Sequence, residues 1–364
     1  MYDFFIWLKD KTNKNVVYLY FILLFIVLYI FYRYVHPVIP WDGDDWYTIS
    51  AINDYNYCIP SIGYAGYLPQ QVSTRFFWGM FGSFFAYLAA FVVYPFSGDY
   101  IMSFAVVTAV YLAALISTTI VFLYKLLFGI TKNVSTSLLG CSFFLLGAFL
   151  IFKSGAGGVS TYLYWQYSYC IAYCYNGGSY LCSAFGLYLL YKEFFSKTEE
   201  TFRCNFKTGF LFVILYFLIF SFVPAVCFLA TISFGILIRR IFQYKSLTKV
   251  LQKSPLQILI IMGFIIKQVY EFIGTFGDGY FSAPTDISSK LITSSFMFIS
   301  TFAKMNKLFL AVVIVCLCFM VTLLFLKKKI NKLTNKDRMY IDLLGIMVLS
   351  LILMGIYFVL FGVI

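Results

Sequence analysis

Trp41-Asp42-Gly43-Asp44-Asp45-Trp46 follows directly on a long apolar stretch, so three carboxylates emerge where the chain leaves a hydrophobic segment. A membrane protein places acids at a bilayer exit to bind ions, move protons or do chemistry on a substrate held there. The competing reading is a solvated loop. Asp44 and Asp45 are adjacent, so on a helix their side chains point about 100° apart and do not converge on one small group. One can then take a proton while the other holds a metal or orients a partner. A carboxylate accepts the proton of an attacking hydroxyl best where water is partly excluded. Trp41 and Trp46 flank the acids, either as an interfacial aromatic belt or as faces on which a sugar ring stacks.

A second set of residues is cationic. Arg33, Arg75, Lys267, Lys290, Lys304 and Lys307 fall on the same side as the acids in the topology set out below. Positive charge there runs against the usual orientation bias, and a lipid phosphate would account for it through charge-assisted hydrogen bonds. Lys267 stands inside an apolar run with Glu271 four residues on, so an intrahelical ion pair is the alternative to phosphate binding.

Two further stretches carry polar chemistry. Residues 154–178 combine several glycines with Tyr162, Tyr164, Trp165, Gln166, Tyr167, Tyr169, Tyr173, Tyr175 and Asn176. Aromatic rings and amides at that density suit a carbohydrate, and equally any interface. The second, within 274–307, holds Asp278, Pro284, Asp286 and Lys290 and is long enough to cap the acidic loop.

The elements that must position these residues are membrane helices. With 62% hydrophobic and 12% charged residues and a mean hydropathy of +0.87, the 364-residue chain is not a soluble fold. Apolar runs of about 17 to 25 residues recur, continuous rather than alternating, which argues for helices and against a barrel. Segment 16–35 reads as a first anchor rather than a cleavable signal. The net charge of +12 is distributed in short Lys/Arg clusters between apolar runs, around residues 9–14, 125–132, 192–207, 239–253 and 327–338, and the positive-inside rule makes these cytoplasmic. Residues 38–74, 154–191 and 274–289 contain no Lys or Arg and read as outward-facing.

These fixed points predict an all-α, polytopic protein of one integral membrane domain spanning 1–364. It has about nine crossings, at 16–35, 101–123, 134–152, 176–191, two short ones within 208–238, 256–273, 308–326 and 341–362. The two short ones are separated at Val223-Pro224, where an X-Pro pair disfavours helix continuation. Segments 76–95 and 288–303 are read as outer interfacial or re-entrant helices. The outer loops are 36–75, 154–178 and 274–307.

Several chemistries are disfavoured. Most of the nine cysteines, among them Cys141, Cys227, Cys316 and Cys318, sit in apolar runs as small hydrophobes. His36 is the single histidine, which excludes histidine-rich metal sites and makes a Ser-His-Asp triad improbable. No Walker-type glycine loop is present.

Gly43-Asp44-Asp45-Trp46, opening the loop after the first transmembrane helix, is similar to the catalytic first outer loop of the GT-C superfamily of polyprenyl-phosphate-sugar glycosyltransferases. The chain resembles in particular the bacterial and phage serotype-converting enzymes that decorate O-antigen. Arg75-Phe76-Phe77 matches the Arg that opens their amphipathic helix. Trp165 with Asn176-Gly177-Gly178-Ser179-Tyr180-Leu181 matches a later Trp and Gly-Ser-x-Tyr-like stretch. Ala283-Pro284-Thr285-Asp286 up to Lys290 looks like a degraded Pro-Gly-Asn-x-x-Arg element, lacking its Gly, Asn and Arg. The resemblance implies a GT-C-like fold in a bacterial inner membrane with a cytoplasmic N-terminus. It implies transfer of a sugar from a polyprenyl-phosphate donor to a glycan hydroxyl, with Asp44 or Asp45 as the base. Arg75, Lys267 and Lys290 would face the phosphate, and Trp46, Trp165, Asn176 and Asp286 would line the substrate site. A divalent cation is compatible with that chemistry but not required, and no nucleic acid partner is implied. The alternatives are a glycan polymerase or lipid-linked oligosaccharide flippase, and a secondary transporter with charges near the midplane.

Overall fold

The computed structural model describes residues 2–41, 43–50, 76–150, 168–196, 206–221, 223–275 and 334–361, with isolated positions between 292 and 326. All named elements among them are helical. They are α1 (Tyr2–Ile30), continued by a π-helical turn (Phe31–Val35), α2 (Gly43–Ser50), α3 (Phe76–Leu88), a π-helical turn (Ala89–Val93), α4 (Tyr94–Ser97), α5 (Tyr100–Thr131) and α6 (Val134–Leu150). A π-helical stretch (Ile171–Gly177) then leads into α7 (Gly178–Phe195), followed by α8 (Phe206–Ile219), α9 (Val223–Tyr244), α10 (Leu247–Lys253), α11 (Pro255–Thr275) and α12 (Asn335–Phe361).

Side-chain pairings fix how the helices run. Arg33 reaches Met102 while Phe21 packs on Tyr124, so α1 and α5 are antiparallel. The helix through α7 lies beside α5 in the same direction: Tyr173 meets Thr108, the Tyr180 carbonyl accepts from Thr119, and Tyr188 packs on Phe122. α9 also follows α7, with Cys182 beside Ser221 and Glu193 beside Arg239. α11 and α12 run the other way, the first bringing Lys267 to Ser221 and the second Asp342 to Arg239 and Tyr357 to Gln268. One end of the bundle therefore holds Asp45 and Trp41, and the other holds Lys132, Lys192, Arg239, Arg240 and Lys253.

Two apolar clusters form the interior. One joins α1, α3, α5 and the π-helical stretch before α7, around Tyr32, Leu112, Ile116, Tyr169 and Tyr173. The other joins α7, α8, α9, α11 and α12 around Leu189, Leu229, Ile232 and Ile260. Lipid tails are as apolar as leucine, so helices in a bilayer associate through close packing, and small residues permit the approach. A Cβ on Gly235 would stand 2.9 Å from Cγ2 of Ile346, so α9 and α12 meet at a position only glycine leaves open.

The expected count of about nine crossings is not supported. Among the described residues four helices are long and apolar enough to span a membrane: Lys14–Val35, Tyr100–Thr131, Ala225–Tyr244 and Asp337–Tyr357. A fifth is reached if Leu247–Lys253 and Pro255–Val269, bent by 87°, count as one span. Of the expected crossings, Val134–Phe149 and Gly209–Ile219 are apolar but fall short of the roughly 20 residues that a straight crossing needs, and 176–191 lies mostly in α7, whose tyrosines, Lys192 and Glu193 keep it out of that apolar set. The expected segments 288–303 and 308–326 lie outside the continuously described residues. The break expected at Val223-Pro224 is present, with α8 ending at Ile219 and Pro224 in the first turn of α9, where its missing N–H costs nothing. Segment 76–95 is helical with a π-helical turn, packs on α5 and is ended by Gly98 in the left-handed conformation (φ 66°), after which Asp99 caps α5 by accepting from the Met102 amide at 2.9 Å. The described residues are those of a helical membrane protein.

Candidate functional site

The acidic loop is fastened to the bundle by Asp45. Its side chain is completely buried. Oδ1 accepts from the Ser168 hydroxyl at 2.8 Å and from the Cys170 amide at 2.6 Å, and Oδ2 accepts from the Trp41 amide at 3.1 Å. Ile39 and Ser168 form a parallel backbone bridge alongside.

Local chemistry explains the arrangement. A helix starting at Tyr169 leaves its first amides without intrahelical partners. The Cys170 amide turns to Asp45 and the Ile171 amide to Ser168 Oγ at 3.4 Å, while the Ser168 carbonyl accepts from Ala172. A carboxylate at a helix N-terminus also gains from the helix dipole, typically by about 0.3–1 kcal/mol. Asp45 thus holds α2 and the preceding loop against the helix that continues into α7. Ile49, four residues on, packs against the apolar cluster, whereas Trp46 on the same helix is exposed.

The placement of the other expected residues is uneven. Asp44 precedes Asp45 on α2, but its side chain lies outside the described residues, as do Arg75, Trp165, Asp286 and Lys290. Trp41 (65% exposed) and Trp46 (46%) stand at the surface of the Asp45 end, as an interfacial belt or a stacking face requires. Asn176 is buried in the π-helical stretch before α7. The sugar-facing role for the tyrosines of 154–178 needs correction at two of them. Tyr169 and Tyr173 belong to a helix that begins seven residues earlier than the expected 176–191 segment. Both are fully buried, with Tyr169 donating to the Gly82 carbonyl at 2.6 Å and Tyr173 stacked on Tyr111 at 4.4 Å. Their rings are core, because the apolar faces of α3 and α5 cover them.

Lys267 is buried as well, but at another level. Its ammonium donates to the Ser221 carbonyl in the break between α8 and α9. Ser221 Oγ in turn donates to the Leu218 carbonyl at 2.6 Å, with Cys182 Sγ 3.3 Å from that hydroxyl. Asp45 sits at Cys170 and Lys267 near Cys182, twelve residues further along one helix, which is roughly 15–18 Å of axial distance. Asp45 and Lys267 therefore stand at different levels of the bundle. Arg33, whose guanidinium lies over Tyr34 and touches Met102, is the described cation at the Asp45 end. The alternative Lys267 to Glu271 pair falls on a side chain outside the described residues.

A metal does not fit the described carboxylate. Asp45 already accepts from N–H and O–H donors at both oxygens, and among the described residues no three His, Cys, Asp or Glu side chains gather. Sequence reasoning missed Ser168, which nothing distinguishes from other hydroxyls in an aromatic run. The 123 residues separating it from Asp45 put the pairing beyond local signals.

No protein-family model, no curated protein and no solved structure matches this chain.

Proposed function

We propose that the chain is a membrane glycosyltransferase that takes a sugar from a polyprenyl-phosphate donor. The sugar passes to a hydroxyl of a cell-surface glycan, O-antigen or similar, at the outer face of a bacterial inner membrane. The single observation carrying this reading is the Asp45 clamp, which pins a carboxylate-bearing helix to the bundle immediately after the first apolar helix. Electrostatic and acid–base catalysis both require groups held in place before the reaction.

In this reading Asp44 is the base and Asp45 a positioning residue. Asp44 takes the proton of the acceptor hydroxyl as that oxygen bonds to the anomeric carbon. The bond from that carbon to the donor phosphate oxygen breaks, its electron pair leaving with the polyprenyl phosphate. Arg75 and Lys290 are assigned to the leaving phosphate, and Trp46, Trp165 and Asp286 to the sugars. The N-terminus and the basic end face the cytoplasm.

A second reading is favoured by one observation. Lys267 is a buried cation beside a helix break, the combination by which transporters and lipid flippases build a binding site near the midplane. Proteoliposomes loaded with labelled polyprenyl-phosphate sugar and an acceptor glycan separate the two. The proposal expects label in the acceptor. Label that crosses the bilayer without being transferred, and stops crossing in Lys267→Met, would establish the second reading instead.

A further inference from the structure

The basic end carries a helix that neither reading uses. α9 ends at Tyr244, Lys245 turns through the left-handed region (φ 49°), and Ser246 caps α10 by accepting from the Lys249 amide at 3.5 Å. α10 then meets α11 at 87°, with Pro255 opening the latter. Since α11 runs along the bundle, α10 lies across it, in the plane a bilayer surface would occupy.

The elbow is held, not dangling. Arg240 donates through Nη1 to the Lys253 carbonyl at 2.5 Å and to Ser254 Oγ at 2.8 Å, while its Nε and Nη2 grip Glu193. Val250 is buried against the bundle, yet Leu247 (64% exposed) and Leu251 (50%), one turn apart on the adjoining face, are open, as is Phe242 just before the turn. At 100° per residue Val250, Leu247 and Leu251 occupy a continuous arc of about 100°, and Thr248, Lys249 and Gln252 fall opposite. Lys245 and Lys249 are exposed, and Lys253 lies over the Tyr244 ring.

We infer that α10 and its flanking turn form a binding surface for anionic phospholipid headgroups. Leu247 and Leu251 dip into the acyl boundary while Lys245 and Lys249 engage the headgroup phosphate. Charge complementarity commits the surface to lipid, because exposed leucines beside lysines on an in-plane helix match the layering of a leaflet. The surface is at the opposite end from Asp45, so it stands independently of the proposed catalysis.

Native mass spectrometry of the full chain in detergent, titrated with phosphatidylglycerol or phosphatidylcholine, tests this. Phosphatidylglycerol adducts should exceed phosphatidylcholine adducts. They should fall at least threefold in K245Q/K249Q and in L247S/L251S, and persist in K245R/K249R, which keeps the charge and controls for folding. Equal adducts in wild type and K245Q/K249Q, no preference for phosphatidylglycerol, or displacement of the lipid by millimolar inorganic phosphate would each overturn the inference.

Discussion

Both ends of the bundle bury a carboxylate, and they do so by different means. Glu193 at the basic end is 4% exposed and is matched by two guanidinium groups, Arg239 at 2.5 Å and Arg240 at 2.7 Å. Asp45 at the other end accepts from a hydroxyl and two backbone amides that belong to a helix start and to its own approach loop. The Glu193 cluster is a cross-brace joining α7, α9, the α10–α11 elbow and, through Asp342, α12. The Asp45 cluster is a clip that fixes where one short acidic segment sits. Full charges brace whole helices, whereas oriented dipoles set the position of a single loop.

Substitutions can break that contrast. Glu193→Gln leaves two partly buried guanidinium groups without their shared anion, and removal of one partner of a buried pair costs about 3–5 kcal/mol. Reversible unfolding in mixed micelles should show that loss, and a change below about 1 kcal/mol would mean the brace is not energetically coupled. Asp45→Ala strands the Ser168 hydroxyl and the Cys170 and Trp41 amides, with an expected cost of about 2–3 kcal/mol. Proteolysis should then open the segment after Trp41 before the remainder of the chain. A double-mutant cycle on Asp45→Asn and Ser168→Ala sharpens the clip further: the two should couple by about 1 kcal/mol, and strict additivity would deny the contact. Smallest of all is Asp342→Asn. Its carboxylate is 44% exposed, so the bond to Arg239 should contribute less than about 1 kcal/mol and vanish in high salt.

Much of the helical layout was legible because it rests on local chemistry. The apolar run after Lys14 and the break at Val223-Pro224 each depend on a few neighbouring residues. Charge marks helix ends less well: α5 continues past Lys125 to Thr131, since a lysine at a bundle end can lay its stem along the helix. α10 falls within the basic cluster 239–253, where Ser246 as a cap and Leu247, Val250 and Leu251 at i, i+3 and i+4 carry the helix signal. Tyr169 and Tyr173 illustrate the opposite difficulty. Their four-residue spacing fits a buried helical face as well as a sugar platform, and the partners that decide, Gly82, Thr108 and Tyr111, lie more than sixty residues away. Asp45 was picked out as an acid, but its role as a clip depended on Ser168 and Cys170, which no spacing rule joins to it.

The proposed transferase divides labour between adjacent acids, and transfer rate and unfolding free energy measured on the same preparations of Asp44→Asn and Asp45→Asn test that division most directly. Asp44→Asn should lower sugar transfer by about 10²- to 10⁴-fold, the usual worth of a positioned base, with stability unchanged, while Asp45→Asn should lose stability and activity together. Full transfer by a stably folded Asp44→Asn protein would contradict it.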